Sequence, residues 1–198
     1  MSGNIFCMAT ALCLCSSIAQ SAPVQWTVLS GGNGHYYEFV AAEGIEWIDA
    51  NAAATARSYN GVFGYLATLT SAAEDTFVDT NFASLYIEAW AGGFQTPSNN
   101  PDPVAGWGWV TGEPWIYTNW KSGEPNDFGG PEMYLSVGGD LNSPQFIRLW
   151  NDDGIGTDPQ LKTGYLVEYS VPEPASGFIV ILAAPCVIRR RHPTTDRM

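Results

Sequence analysis

Between residues 23 and 170 the chain has no cysteine, since Cys7, Cys13, Cys15 and Cys186 all lie in its two terminal segments. This excludes a disulfide framework, a thiol nucleophile and a cysteine-based metal site for the central stretch. Basic side chains are also scarce there: only Arg57, Lys121, Arg148 and Lys162 are present, in a chain with 20 Asp and Glu and a formal net charge of -12. Nucleic acid and anionic surfaces are therefore poor partners. Such acidity serves solubility, and a bound divalent cation would relieve part of it. Outside the C-terminal tail the one histidine is His35, expected in a strand. Gly-x-Ser-x-Gly and His-Glu-x-x-His motifs are both missing. What is abundant is aromatic: 8 Trp, 9 Tyr and 9 Phe, enough to hold one core of this length together by buried area.

The two ends read as addresses. An apolar run over residues 5–15 followed by small residues predicts a cleaved export signal at 1–21, although no Lys or Arg precedes the run. At the other end Val171, Pro172, Glu173 and Pro174 precede an apolar stretch over 175–188 and then Arg189, Arg190 and Arg191. As a helix that stretch spans ~20 Å against a hydrocarbon core of ~30 Å, which suits transient retention with the arginines on the cytoplasmic side. The three-part tail, 171–192, resembles the PEP-CTERM sorting signal of bacteria, with residues 193–198 as an added end. The resemblance implies processing by an exosortase-type membrane protease, transient inner-membrane contact and release to the cell surface or an extracellular polysaccharide. An ordinary C-terminal anchor is the alternative.

The exported domain is expected over 23–170. Strands are predicted near 26–29 and 35–40, then a helix over 46–57 with Trp47, Ala50 and Ala54 on one face and its end at Asn60 and Gly61. A second helix should begin at Ser71, where Ser71 and Glu74 form a capping box, and should bury Phe77, Val78, Phe82 and Leu85. Short strands follow near 89–93, 107–110, 133–137, 146–150 and 164–169, joined by loops rich in Gly, Pro and Asn. Two early helices and several later strands indicate an α+β domain.

The loops over 95–106 and 121–132 are long enough to call for a function. The second offers Glu124, Asn126, Asp127 and Glu132, and a distant apolar segment runs into Asn151 and Asp152. Calcium takes six to eight hard oxygens from such side chains and from backbone carbonyls. Either cluster alone reads as a turn held by local hydrogen bonds. Their co-occurrence points to a shared ion.

Glu124, Pro125 and Asn126, followed by Trp150, Asn151 and Asp152, resemble the paired calcium motifs of C-type lectin domains. Residues 64–69, 90–93, 109–112, 117–120 and 167–168 match in order, so the resemblance spans about 26–170. It implies a C-type lectin-like fold, with two helices on short antiparallel sheets beside a long calcium-binding loop region. It also implies a Ca²⁺ site on Glu124, Asn126, Glu132, Asn151 and Asp152, the last also giving its carbonyl, with a cis peptide before Pro125. The same five residues would hydrogen-bond a sugar bound through the ion, with Phe128 against the ring or packed inward. The order Glu-Pro-Asn implies mannose- or glucose-type sugars. Asp127 is a candidate for an auxiliary calcium site, although Gln95 stands where an acid would be expected. Tyr134 and Val167 occupy positions where most animal members keep cysteine, so aromatic packing has to compensate. The tryptophans at 90, 107, 109, 115, 120 and 150 read as core.

The resulting expectation is an exported, calcium-dependent, non-enzymatic carbohydrate-binding protein. The alternatives are a calcium-stabilised adhesin or matrix module and, less favoured, a glycoside hydrolase built on paired carboxylates.

Overall fold

A computed structural model describes residues 22–98, 100–138, 149–156 and 161–171. The export signal, the sorting tail and residues 146–148 of the expected 146–150 strand lie outside the described residues. Among the described residues no helix is long and apolar enough to cross a membrane.

The strands are β1 (Val24–Gln25), β2 (Tyr36–Ala41), β3 (Ser58–Tyr59), β4 (Val62–Phe63), β5 (Tyr65–Leu66), β6 (Glu88–Gln95), β7 (Trp107–Trp109), β8 (Tyr134–Gly138), β9 (Leu149–Asp153) and β10 (Lys162–Tyr169). Eight of them form one sheet in the order β1-β2-β10-β6-β8-β9, with β5 added to β10 and β7 to β6, while β3 and β4 pair as a separate hairpin. All pairings are antiparallel except that of β10 with β6. The last strand therefore sits at the centre, where Gly164 is needed: a Cβ there would meet the Val40 carbonyl at 2.0 Å. This is the α+β architecture expected from the sequence.

Helix α1 (Trp47–Ala56) lies against the sheet through Trp47, Ala50 and Ala54. Small alanines permit close approach, and the Trp47 indole donates to the Ala91 carbonyl at 2.8 Å. Helix α2 (Ala72–Phe82) starts at Ser71, whose hydroxyl accepts from the Glu74 amide at 3.2 Å. The capping is displaced by one residue, because Glu74 reaches back to the amide and hydroxyl of Thr70, at 2.7 and 2.8 Å. Its other oxygen accepts from the Tyr37 hydroxyl at 2.5 Å.

Several local expectations are corrected. Residues 28–30 form a 3-10 turn that leaves Val28 and Leu29 exposed, so the first strand is only β1. Asn60 and Gly61, both at positive φ, make the turn of the β3–β4 hairpin, and α1 ends earlier, at Ala56. Leu85 is exposed because α2 stops at Phe82 and Tyr86 takes the buried place instead. Strand β9 continues through Asp153, so Asn151 and Asp152 belong to the strand and do not follow it.

Aromatic rings pack around both Tyr134 and Val167. Tyr134 stacks on Trp47 with ring centroids 4.5 Å apart and meets Trp90 edge-on at 6.5 Å. Val167 is fully buried in the same cluster. On the other face Trp150 is 0% exposed and contacts Trp109, Trp115, Tyr117 and Trp120 at 5.5–5.7 Å. Burying a ring of 150–250 Å² contributes about 4–6 kcal/mol at ~25 cal/mol per Å², an upper bound.

Candidate functional site

Trp150 fixes the site because it stands immediately before Asn151 and Asp152. Its amide donates to Asn119 and its carbonyl accepts from Lys121, at 2.9 and 2.8 Å, so the 119–121 segment bridges to β9. From below, Asp75 of α2 accepts from the Trp150 indole at 3.2 Å, the Asn119 amide group at 2.5 Å and the Tyr117 hydroxyl at 3.1 Å. Burial raises the Asp75 pKa, against the pull of these three donors. Nothing in the local sequence marks Asp75, whose donors lie more than 40 residues away.

Beyond Lys121 the chain turns at Gly123, and the Glu124–Pro125 peptide is cis. Asp127 then adopts a left-handed conformation, φ 52°, which Asx residues tolerate better than most. Successive amides consequently face inward: Asn126 and Asp127 donate to one Asp152 carboxylate oxygen at 2.8 and 2.9 Å. The loop closes on itself where the Phe128 amide donates to Glu132 at 2.7 Å and the Glu132 amide donates to Asp127 Oδ1 at 2.8 Å. Asp152 is 0% and Glu132 7% exposed, Glu124 is half-buried, and Phe128 projects outward at 81%.

Three carboxyl groups are thus held in one neighbourhood. Burial raises the Asp152 pKa in spite of the amides of Asp127 and Asn126. Glu124 is raised by burial and then by Asp152. Burial, with charge from Asp152, Asp153 and Glu124, lifts Glu132 to about 8 although the Phe128 amide opposes it. Glu124 Oε2 and Asp152 Oδ1 are buried without a hydrogen-bond partner. The neighbouring Asp153 differs, because it and Glu88 pair with buried Lys162, which also lies 5.0 Å from the Trp90 ring centre. Among the described residues no basic side chain ion-pairs with Glu124, Glu132 or Asp152.

Lys121 offsets the charge of Glu124 only in part, and a group of buried carboxyls whose oxygens lack protein donors has the chemistry a hard cation takes. No group of three or more His, Cys, Asp or Glu among the described residues has formed metal-binding geometry, however. One oxygen each of Asp152 and Glu132 is committed to backbone amides, and the Asp152 carbonyl accepts from the Asn151 side chain at 2.8 Å.

Comparison with solved structures gives a TM-score of 0.56 to the C-type lectin CEL-I from Cucumaria echinata, at 20% identity, covering 71% of this chain and 93% of that one. The fold is C-type lectin-like. Halomucin of Haloquadratum walsbyi is 34% identical over 150 residues, which is 69% of this chain and 1% of halomucin. Ladderlectin of Oncorhynchus mykiss is 37% identical over 94 residues, 46% of this chain and 44% of ladderlectin. The chain thus spans less than half the length of these two relatives. No protein-family model matches it.

Within this C-type lectin-like fold, Glu124, Asp127, Glu132 and Asp152 come together with the backbone of Asn126 and Phe128. The Asn126 side chain is on the exposed side of the loop. Asn151 alternates with Asp152 along β9, opposite Ser136, and turns its amide to the Asp152 carbonyl. Asp127 spends one carboxylate oxygen on closing the loop. Gln95 donates to the carbonyls of Asp102 and Ala105, both at 2.9 Å, and so shapes the preceding loop.

Proposed function

We propose that this protein binds calcium through Glu124, Asn126, Glu132, Asn151 and Asp152 and, through that ion, sugars with mannose- or glucose-type hydroxyls. The observation carrying this reading is the meeting of Glu124, Glu132 and Asp152 with no ion-paired basic side chain among the described residues, and with Glu124 Oε2 and Asp152 Oδ1 buried, accepting from no protein donor and facing one another closely. Calcium supplies positive charge and open coordination positions that vicinal hydroxyls can fill. Burial raises the pKa of these carboxyl groups, so the ion is what would hold them ionised. The protein's part is to place them and to direct hydrogen bonds: carboxylates accept from sugar hydroxyls, and the Asn126 and Asn151 amide groups donate to them. Phe128, already exposed, offers an apolar face beside the loop.

The C-type lectin-like fold supports carbohydrate binding as a class, and fold alone does not fix the ligand. Export and delivery to a bacterial surface or its polysaccharide, with processing by an exosortase-type protease, rest on the terminal segments of the sequence.

The test is a glycan-array screen of the purified protein in calcium and in chelator, paired with thermal melts. Calcium-dependent signals on mannose- or glucose-type glycans are expected, with a melting point that rises with calcium. Protein binding that ignores chelator, or turnover of an oligosaccharide, would support the adhesin or the hydrolase instead.

A further inference from the structure

A cleft of about 550 Å³ lies outside the carboxylate group, between α1, the end of β6 and the start of β8. Its volume falls within the range of small-molecule sites. Trp47, Phe94 and Tyr134 give it an aromatic wall, and Asn51, Gln95 and Ser98 are among its polar groups. Among the described residues that line it none is charged, in a chain whose net charge is -12. An ionic ligand therefore has no counter-charge here.

Gln95 is the informative residue. It is 3% exposed, and its Nε2 is spent on the Asp102 and Ala105 carbonyls, while its Oε1 accepts from no described residue. The side chains of Asn51 and Ser98 and the Tyr134 hydroxyl likewise make no hydrogen bond with other described residues. Phe94 and Tyr134 are half-buried, so part of each ring faces the opening, and Trp47 backs Tyr134 from beneath. Half-exposed rings beside uncharged donors and acceptors match a sugar ring, which carries C–H bonds on its faces and hydroxyls around its edge. The volume suits one or two such rings and is short for an extended peptide.

We propose that this cleft is a second saccharide subsite, taking a neutral hexose unit without a metal ion. The inference does not rest on the calcium-loop reading. The cleft begins one residue beyond Glu132, at Met133, whose carbonyl accepts from the Gln95 amide at 2.9 Å.

Saturation-transfer NMR on the purified full chain in chelator tests it, with mannotriose and cellotetraose as neutral probes and a proline-rich peptide as competitor. The expected result is transfer to sugar ring protons in chelator, weakened roughly tenfold or more by Ser98→Trp, which fills the mouth from an exposed position, and reduced by Asn51→Ala. Circular dichroism and melting of both variants should match the parent. No transfer in chelator, transfer unchanged by Ser98→Trp, or displacement of the sugar by the peptide would overturn the proposal. Loss of calcium-dependent glycan binding alone would overturn the other reading and leave this one standing.

Discussion

The two carboxylate oxygens of Asp152 are placed differently. Oδ2 holds the loop by accepting from Asn126 and Asp127, while buried Oδ1 has no partner. Asp152→Asn keeps an acceptor for the two amides and turns an NH₂ toward the orphaned side, where the Glu124 carboxyl lies close. The variant should therefore melt at or above the parent temperature in chelator yet lose its response to calcium. Calorimetric titration with calcium and paired melts check both halves. His35 gives a pH-dependent case, because its Nδ1 lies 2.6 Å from Glu168. That hydrogen bond, opposed by burial and assisted by the charges of Glu168, Glu74 and Glu113, raises the His35 pKa above 6.5. A raised folded value means that the stabilisation is fully present below pH ~6.5 and is lost as pH rises through the folded value. The melting-point difference between parent and His35→Gln should shrink across that window.

At the scale of elements, β9 carries the site and two buried polar contacts position it. Asp75→Ala leaves the Trp150 indole, the Asn119 amide and the Tyr117 hydroxyl without their acceptor, at a cost of about 2–4 kcal/mol, to be read by denaturant unfolding. Lys162→Met strands Glu88 and Asp153 and should cost about 3–5 kcal/mol in the same measurement. Neither contact is legible locally, since polar residues inside a helix or a strand do not announce partners elsewhere in the chain. The apolar periodicity of α1 and the start of α2 at Ser71 were legible. Asn60 and Gly61 were ambiguous because the same pair serves as a helix stop and as a hairpin turn, and the hairpin was realised. The residues of the carboxylate group were readable from spacing and resemblance. Their present bonding was not, because it depends on which backbone amides the 121–132 loop turns inward.

Over the whole molecule, the last strand, β10, sits in the middle of one sheet between β2 and β6, and aromatic packing ties both helices to it without a cysteine in the domain. Glu124, Glu132 and Asp152 adjoin, and burial first, then their mutual charge at Glu124 and Glu132, makes ionising them costly in the absence of a cation. If calcium binds as proposed, a concentration about a hundredfold above the dissociation constant would add about 2.7 kcal/mol to stability. The most direct measurement is a titration of the purified protein with a mannose-type oligosaccharide, first in calcium and then after chelation. The account predicts saturable binding in calcium that disappears with chelator, returns on adding calcium back and is lost in Asp152→Asn. Binding of equal strength in chelator, or no binding together with no calcium-induced rise in melting temperature, would contradict it.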